Sequence, residues 1–581
     1  MQPLSNDCHK ALLSVGGTTI LGRIVDALLR IEVTRVVVVT GYRAEDIRAY
    51  LTSRYPAVEV QFVENARWAD TNNIVSLDLG LEHIEPEADV VLVECDLLFD
   101  ETLLDRIARP DQGNVALVDR YRDGMDGTVV SVVDGVVTEV FPPHAQREGF
   151  DFDGKYKTLN IYRFASEFCS NTLKPLLDVY AARIDSNAYY ELVLGALANI
   201  PSHRIRAEVV TGALWAEVDD PNDLAAARFL FEPESRSGLL DRAQGGTWHF
   251  DVTSFAYMQN AHFPTRAMIA AMQHALPRLL GAYSSSAPVL AEKLSWLLGC
   301  DASRLVVLDG ASQAFPILRD QLRGARVAIP SPTFGEYGRM FPKALRYEDR
   351  PGFDADEIEE LAGSCDVLVV VSPNNPTGTT VRTAAIADLA RRNPSTIVLL
   401  DESFVPFSDQ PSLLTVLEGE PIDNVAILAS LGKVLGVPGL RLGYLYTRDP
   451  SFHAEFSQRV PIWNISSPAE FLLELLLKFR PELESAIAQT VADRERLRRQ
   501  LEGLDGVVEI APSGGNFLLV TLHGGVAEGA ALRRHLLAEH TIDVKDVSER
   551  FRDHRARIRV GIRSMDENDL LVRSLGEALA R

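Results

Sequence analysis

Short apolar runs, each trailed by an amphipathic helical stretch, recur along nearly the whole chain. "TRVVVVTG" ending at Gly41, "DVVLVECD" (89–96) and "GNVALVD" (113–119) alternate with segments such as "TILGRIVDALLRI" (19–31). The pattern resumes in "RLVVLDG" (304–310), "RVAIPSP" (326–332), "DVLVVVSPN" (366–374), "TIVLLDES" (396–403) and "VAILASLG" (425–432). A strand that is apolar at every position has to be covered on both faces, and a crossover helix supplies that cover while returning the chain to a parallel neighbour. The expected class is therefore α/β, built on parallel sheets. None of these runs approaches the roughly 18 apolar residues of a membrane span, so no membrane partner is expected. A chain of 581 residues also exceeds what one core serves. The pattern weakens over "PESRSGLLDRAQGGT", which is polar and contains glycine. The expected division is a first domain over 1–232, a linker over 233–247 and a second domain over 248–581.

Charge and cysteine content narrow the partners. A net charge of −23 excludes nucleic acid as the main partner, because phosphate backbones need a basic surface. Small anions remain open, since a few local arginines can hold them. The five cysteines (Cys8, Cys95, Cys169, Cys300, Cys365) form no CxxC pair, which points to a reducing, cytoplasmic compartment with neither a disulfide frame nor a zinc site. The opening "MQPLSNDCHKALL" has no basic segment followed by an apolar one, so no secretory signal is expected.

The chain has nine lysines, and one lies among glycines and small apolar residues in "SLGKVLGVPGLRLGY" (430–444). Desolvation there disfavours the ammonium form of Lys433 and leaves its amine available for Schiff-base chemistry. Four further motifs stand upstream: "DGASQA" (309–314), "SPTFGEY" (331–337), "SPNNPTG" (372–378) and "LLDES" (399–403). Each alone reads as a cap, a turn or a strand end. In this order the set resembles the fold-type-I pyridoxal-phosphate (PLP) enzymes, in the branch of histidinol-phosphate aminotransferase and threonine-phosphate decarboxylase, over residues 248–581. The resemblance implies that Lys433 carries the cofactor. Asp401 would pair with the pyridinium nitrogen and Asn375 with the ring's phenolic oxygen, while Phe334 stacks on the ring. Ser430, Arg441 and the amides of Ala311 and Ser312 would hold the phosphate. Tyr283 stands where the family uses a tyrosine reaching the partner subunit's phosphate, which implies a homodimer through this domain. In "RIRVGIRSMDEND" (557–569) the family's substrate arginine aligns with Arg559. Period-two alternation would put Arg557 and Arg563 on its face, making a three-arginine anchor for a multiply anionic substrate. Phe404 stands where the aminotransferases carry a tyrosine, so the set leans toward decarboxylation.

The N-terminal motifs resemble another family, the sugar-phosphate and choline-phosphate nucleotidyltransferases. "PLSNDCHKALLSVGG" (3–17) matches the second half of their opening signature, with Lys10 as the triphosphate-contacting lysine. "ENARWADTNNIVSLDLGL" (64–81) is similar to a cytidine-recognising segment, which makes Asn73 and Ser76 base-contact candidates. Asp96 in "VECDLLFD" and Asp219 in "WAEVDDPNDL" would hold Mg²⁺, whose hard oxygen preference suits a carboxylate pair that neutralises charge at the α-phosphate. In "YKTLNIYRF" (156–164), Lys157 would meet a phosphonate or be a solvated lysine. The family's first strand and Gly-rich loop should precede Met1, and the functional chain is expected to begin further upstream.

Joined in this order, the halves resemble the bifunctional enzymes of phosphonate biosynthesis. The implied reactions are CMP transfer from CTP to the phosphonate of 2-amino-4-phosphonobutanoate and PLP-dependent decarboxylation of that amino acid. One alternative is a 2-aminoethylphosphonate cytidylyltransferase fused to a transaminase acting on phosphonoacetaldehyde. Another is a lone PLP enzyme with a non-catalytic N-terminal docking domain.

Overall fold

The computed structural model describes residues 6–109, 113–198, 200, 203–350, 352, 353 and 355–580, so Pro3 to Ser5 of the first motif lie outside the described residues. The chain divides into two compact units, Met1–Phe250 and Asp251–Arg581. The stretch read as a linker belongs to the first unit. It carries the helix Arg236–Ala243, whose buried Arg236 donates to the carbonyl of Phe229 at 2.7 Å and whose Leu240 is buried as well. The four-residue spacing puts both side chains on one helix face, a signal hidden by the polar residues between them.

The first unit centres on a six-stranded sheet. Two strands outside it, β1 (Val36–Thr40) and β2 (Val60–Glu64), pair in parallel; among the described residues they form no ladder with the larger sheet. Then come β3 (Val90–Val93), β4 (Leu97–Phe99), β5 (Val115–Arg120), β6 (Val129–Val133), β7 (Val136–Phe141), β8 (Tyr156–Phe164), β9 (Arg206–Val209) and β10 (Trp215–Glu217). The sheet order is β3-β8-β5-β9-β7-β6, and β4 pairs with β10. This corrects the expectation of a parallel sheet: only β5 and β9 run parallel, and the other ladders are antiparallel. Part of the reason is local. Asp134 and Gly135 both take positive φ, the conformation of a tight hairpin turn, so β6 and β7 reverse within two residues. The core lies on both faces, with Val115 and Leu117 of β5 in one cluster and Ala116 and Val118 in the other.

The second unit has a seven-stranded sheet of β11 (Leu305–Asp309), β12 (Val327–Ser331), β13 (Leu345–Glu348), β14 (Val367–Val371), β15 (Ile397–Asp401), β16 (Val425–Ser430) and β17 (Leu442–Thr447), in the order β11-β17-β16-β15-β14-β12-β13. All its ladders are parallel except those of β17. Alternate residues of each strand enter opposite cores: Val398 and Leu400 one, Leu399 the other. This is the two-sided burial that continuous apolar runs require. A smaller antiparallel sheet follows, β18 (Val507–Ile510), β19 (Phe517–Gly525), β20 (Lys545–Asp546) and β21 (Arg555–Gly561), in the order β18-β19-β21-β20. No helix among the described residues is long and apolar enough to cross a membrane.

Candidate active sites

In the second unit, the C-terminal ends of the parallel strands converge on Lys433. Asp401 closes β15, and its Cα partners are Val371 of β14 and Leu428 of β16. Its carboxylate accepts from the Tyr337 hydroxyl at 2.7 Å and the Ser403 amide at 3.0 Å, and burial pushes its pKa up. Ser430 caps the short helix Leu431–Val434 that carries Lys433. The Lys433 carbonyl accepts from the Asn260 amide at 3.0 Å, which pins this turn. Burial, then the charges of Arg559 and Arg441, lower the amine pKa to about 8.

Arg441 crosses from the start of β17 to the turn after β11. It takes a left-handed conformation and donates to the Ser312 hydroxyl at 2.6 Å. Gly310 permits this approach: its φ is +66°, and a Cβ there would lie 2.3 Å from Arg441 Nη2. Ala311 follows it in the same turn, and Phe334, exposed, has its ring 6.0 Å from that of Phe315. Arg559 of β21 donates to Asn375 Oδ1 at 2.6 Å and to the Ala256 carbonyl. Its Nε is buried without a partner, and burial together with the Arg550 charge lowers its pKa to about 9. Tyr283 is exposed and stacks on Trp463 at 4.5 Å.

In the first unit, Lys10 Nζ bridges Asp96 Oδ2 at 2.8 Å and Asp219 Oδ1 at 2.9 Å. Burial opposes the lysine's charge, yet the two carboxylates outweigh it and hold its pKa above the usual range. Glu94, Asp96 and Glu217 bring carboxylate oxygens within 4.8 Å of one another. Burial first, then the charge of Asp96, raises the Glu94 pKa to about 8. Glu94 accepts from Tyr190 at 2.9 Å, Asn160 at 3.1 Å and Asn73 at 3.2 Å. Asn160 reaches it from a break in the β8 register, at φ 56°, where such a bulge re-aims a side chain. Ser76, one helical turn after Asn73, accepts from Asn65 at 3.2 Å.

The family description for aminotransferase class I and II matches residues 250–575, and that for the MobA-like NTP transferase domain matches residues 5–181. The CMP-5'-(3-aminopropyl)phosphonate synthase of Streptomyces rubellomurinus is 31% identical over 582 residues, covering 98% of this chain and 91% of its own. The chain belongs to this synthase family. Two solved structures show the fold of its second unit. The L-threonine-O-3-phosphate decarboxylase of Porphyromonas gingivalis matches with a TM-score of 0.50 and 23% identity, covering 57% of this chain and all of that one. The histidinol-phosphate aminotransferase of Sinorhizobium meliloti, in complex with pyridoxal-5'-phosphate, matches with a TM-score of 0.52 and 18% identity, covering 60% and 97%.

As a member of this synthase family, the chain joins a nucleotidyltransferase to a fold-type-I PLP enzyme. The residues of the second unit fit the cofactor. Among the described residues no cation pairs with the buried Asp401, which leaves its charge for a protonated ring nitrogen, and Ser312 with Arg441 offers an anion a hydroxyl and a guanidinium fork. The carboxylates around Lys10 fit a hard divalent cation, and Asp96 Oδ1 is a buried lone pair without a partner.

Two sequence expectations change. The three-arginine anchor is not formed, because carboxylates take two of its members. Arg557 pairs with Asp553 at 2.7 Å and lies 4.2 Å over the Phe551 ring, and Arg563 pairs with Glu567 at 2.6 Å. Lys157 is not solvated: it is 1% exposed and pairs with Glu217 at 3.2 Å. Gly127, at φ +86°, leaves its amine room. Asn73, the base-contact candidate, donates from Nδ2 to Glu94 at 3.2 Å and accepts at Oδ1 from the Tyr190 amide at 3.0 Å.

The sequence motifs do not mark Glu94 and Glu217, which join Asp96 in the carboxylate cluster, although a signal is present. Each stands two residues before a predicted metal ligand, as Glu94-Cys95-Asp96 and Glu217-Val218-Asp219, and the strand register sets Glu217 opposite Leu97.

Proposed function

We propose that the first unit transfers CMP from CTP to the phosphonate oxygen of 2-amino-4-phosphonobutanoate, and that the second removes its α-carboxylate. The observation that carries this reading is the match over 98% of this chain and 91% of the Streptomyces synthase. In the transfer, a phosphonate oxygen attacks the α-phosphorus and the bond to pyrophosphate breaks. Lys10 would meet the triphosphate, and Asp96 with Asp219 would hold Mg²⁺, which supplies charge neutralisation at the α-phosphate and the departing pyrophosphate. Glu94 and Glu217 shape the acceptor side, with Lys157 fixing Glu217.

In the decarboxylation, the bond between Cα and the carboxyl carbon breaks and a proton enters at Cα. PLP, when bound, supplies the sink for the electron pair. Asp401 would keep a proton on the ring nitrogen, Asn375 and Phe334 would hold the ring, and Ser430, Arg441, Ala311 and Ser312 would hold its phosphate. Lys433, with a pKa near 8, would carry the cofactor, and its amine would deliver the proton to Cα. Arg559 would bind an anionic group of the substrate and so orient it for loss of the carboxylate.

The test is a product mass spectrum after incubation with PLP, Mg²⁺, CTP and 2-amino-4-phosphonobutanoate. The expected product is a CMP adduct that has also lost the mass of CO₂. An adduct that keeps its carboxylate rejects the decarboxylation of this substrate and transfers the reading to a transaminase.

A further inference from the structure

Lys433 stands on a helix of four residues, Leu431–Val434, too short to hold its shape unaided. Its end is abrupt. Gly436 takes φ +65°, and the residue four places after Val434 is Pro438, which has no amide to offer the Val434 carbonyl. Carbonyls at a helix end need donors from elsewhere, and for the last two of this helix one residue supplies both. The Asn260 amide donates to the Lys433 carbonyl and Asn260 Nδ2 to the Val434 carbonyl, each at 3.0 Å.

Asn260 is 2% exposed and is itself held from the other side. Its Oδ1 accepts from the His262 amide at 3.0 Å and lies 3.0 Å from the Thr490 hydroxyl of the helix Arg480–Glu502. The approach is close. A Cβ at Gly436 would fall 2.4 Å from the Asn260 carbonyl oxygen and 1.8 Å from that of Phe263, so only glycine lets the turn after the lysine helix lie against this segment. Four residues before Asn260, the Ala256 carbonyl accepts from Arg559. One stretch of backbone therefore holds both the lysine's helix and the guanidinium, two groups that have to meet the same substrate.

We propose that Asn260 is a positioning residue that caps the Lys433 helix and fixes the amine in its buried place relative to Arg559. It acts through Lys433. The inference rests on the reading of Lys433 as the lysine that carries the cofactor, and it holds whether the second unit decarboxylates or transaminates.

The test uses the full chain. Without PLP, trace acetic anhydride labels Lys433 in proportion to its neutral amine, with a wild-type midpoint expected near pH 8. Asn260→Ala frees the end of the helix and admits water to the amine, so the midpoint should rise by at least about half a unit and PLP should bind at least about tenfold more weakly in an absorbance titration. Asn260→Ser, which keeps an acceptor for the His262 amide, is the milder variant and should move both readouts the same way. Thr265→Ala removes the cap of the next helix, Arg266–Leu280, and controls for lost stability: it should lower the urea midpoint yet leave labelling and PLP affinity unchanged. Asn260 variants that match the wild type in both readouts, or an equal shift with Thr265→Ala, overturn the positioning role. If Asn260→Ala moves the labelling midpoint but borohydride reduction of the PLP-loaded wild type leaves no cofactor on Lys433, the cap stands and the assignment of the lysine falls.

Discussion

The amine of Lys433 provides the sharpest test of how this pocket works. An ordinary lysine, with a pKa near 10.4, has about 0.04% neutral amine at pH 7, whereas a pKa of about 8 leaves about 9%, a gain of roughly 200-fold in nucleophile. Competitive labelling of the cofactor-free protein with trace acetic anhydride, read by mass spectrometry of the Lys433 peptide across pH 6–11, reports this directly. Reactivity should rise with a midpoint near pH 8, and the exposed Lys343 serves as an internal reference. The structure also assigns causes. Burial, Arg559 and Arg441 all lower the pKa, in that order of size, so Arg559 accounts for no more than half of the depression, about 1.2 pH units. Arg559→Gln should therefore move the midpoint up, by at most about one unit, and cut labelling at pH 7 by at most roughly tenfold, with little change at pH 10. A wild-type midpoint near 10 would refute the claim that this pocket disfavours the ammonium. A midpoint near 8 that Arg559→Gln leaves in place would refute the part assigned to Arg559.

The remaining predictions concern single contacts. Gly310→Ala puts a Cβ 2.3 Å from the Arg441 guanidinium at φ +66°; PLP titration should show at least tenfold weaker binding, with a stability loss of about 1–3 kcal/mol from the strained backbone. Lys157→Met leaves Glu217 without its buried partner and should cost about 3 kcal/mol in urea denaturation, a change that Lys157→Arg should not rescue because no space is left beside Gly127. Tyr337→Phe removes a donor from the buried Asp401 carboxylate, and a cost of about 1–3 kcal/mol in chemical denaturation is expected. The same loss should push the Asp401 pKa further up, moving the acid limb of the activity–pH profile to higher pH. Asp96→Asn should reduce pyrophosphate release from CTP at least 100-fold while PLP absorbance is unaffected, because the two sites lie in separate units.

Much of the second unit was readable from the sequence because its signals are local. An apolar run of five residues such as Val367–Val371 can only be a strand buried on both faces. Asp401 closes one such strand, and Asn375 and Lys433 follow the ends of two others, so these candidates stand beside runs that the sequence itself marks. The first unit was harder. Its apolar runs looked alike, yet most of its ladders are antiparallel. The Asp134-Gly135 turn that announces one reversal spans two residues, whereas the pairing of β8 with β3 joins residues some seventy positions apart and leaves no local mark.

Charge compensation was the least legible property. Arg557, Arg559 and Arg563 are equivalent by period and by residue type, and nothing local singles out Arg559 as the one that reaches Asn375, 184 positions away. Asp553 and Glu567 stood in the sequence beside the other two, but a nearby carboxylate becomes a partner only when the backbone brings it within about 3 Å. The sequence by itself determined which segments must be buried and which residue types were available for the chemistry, because hydrophobic period and turn preference act between near neighbours. Only the tertiary structure decided which charges are spent on one another and which remain for a ligand. Electrostatic pairing depends on distance through space, and the fold alone sets that distance.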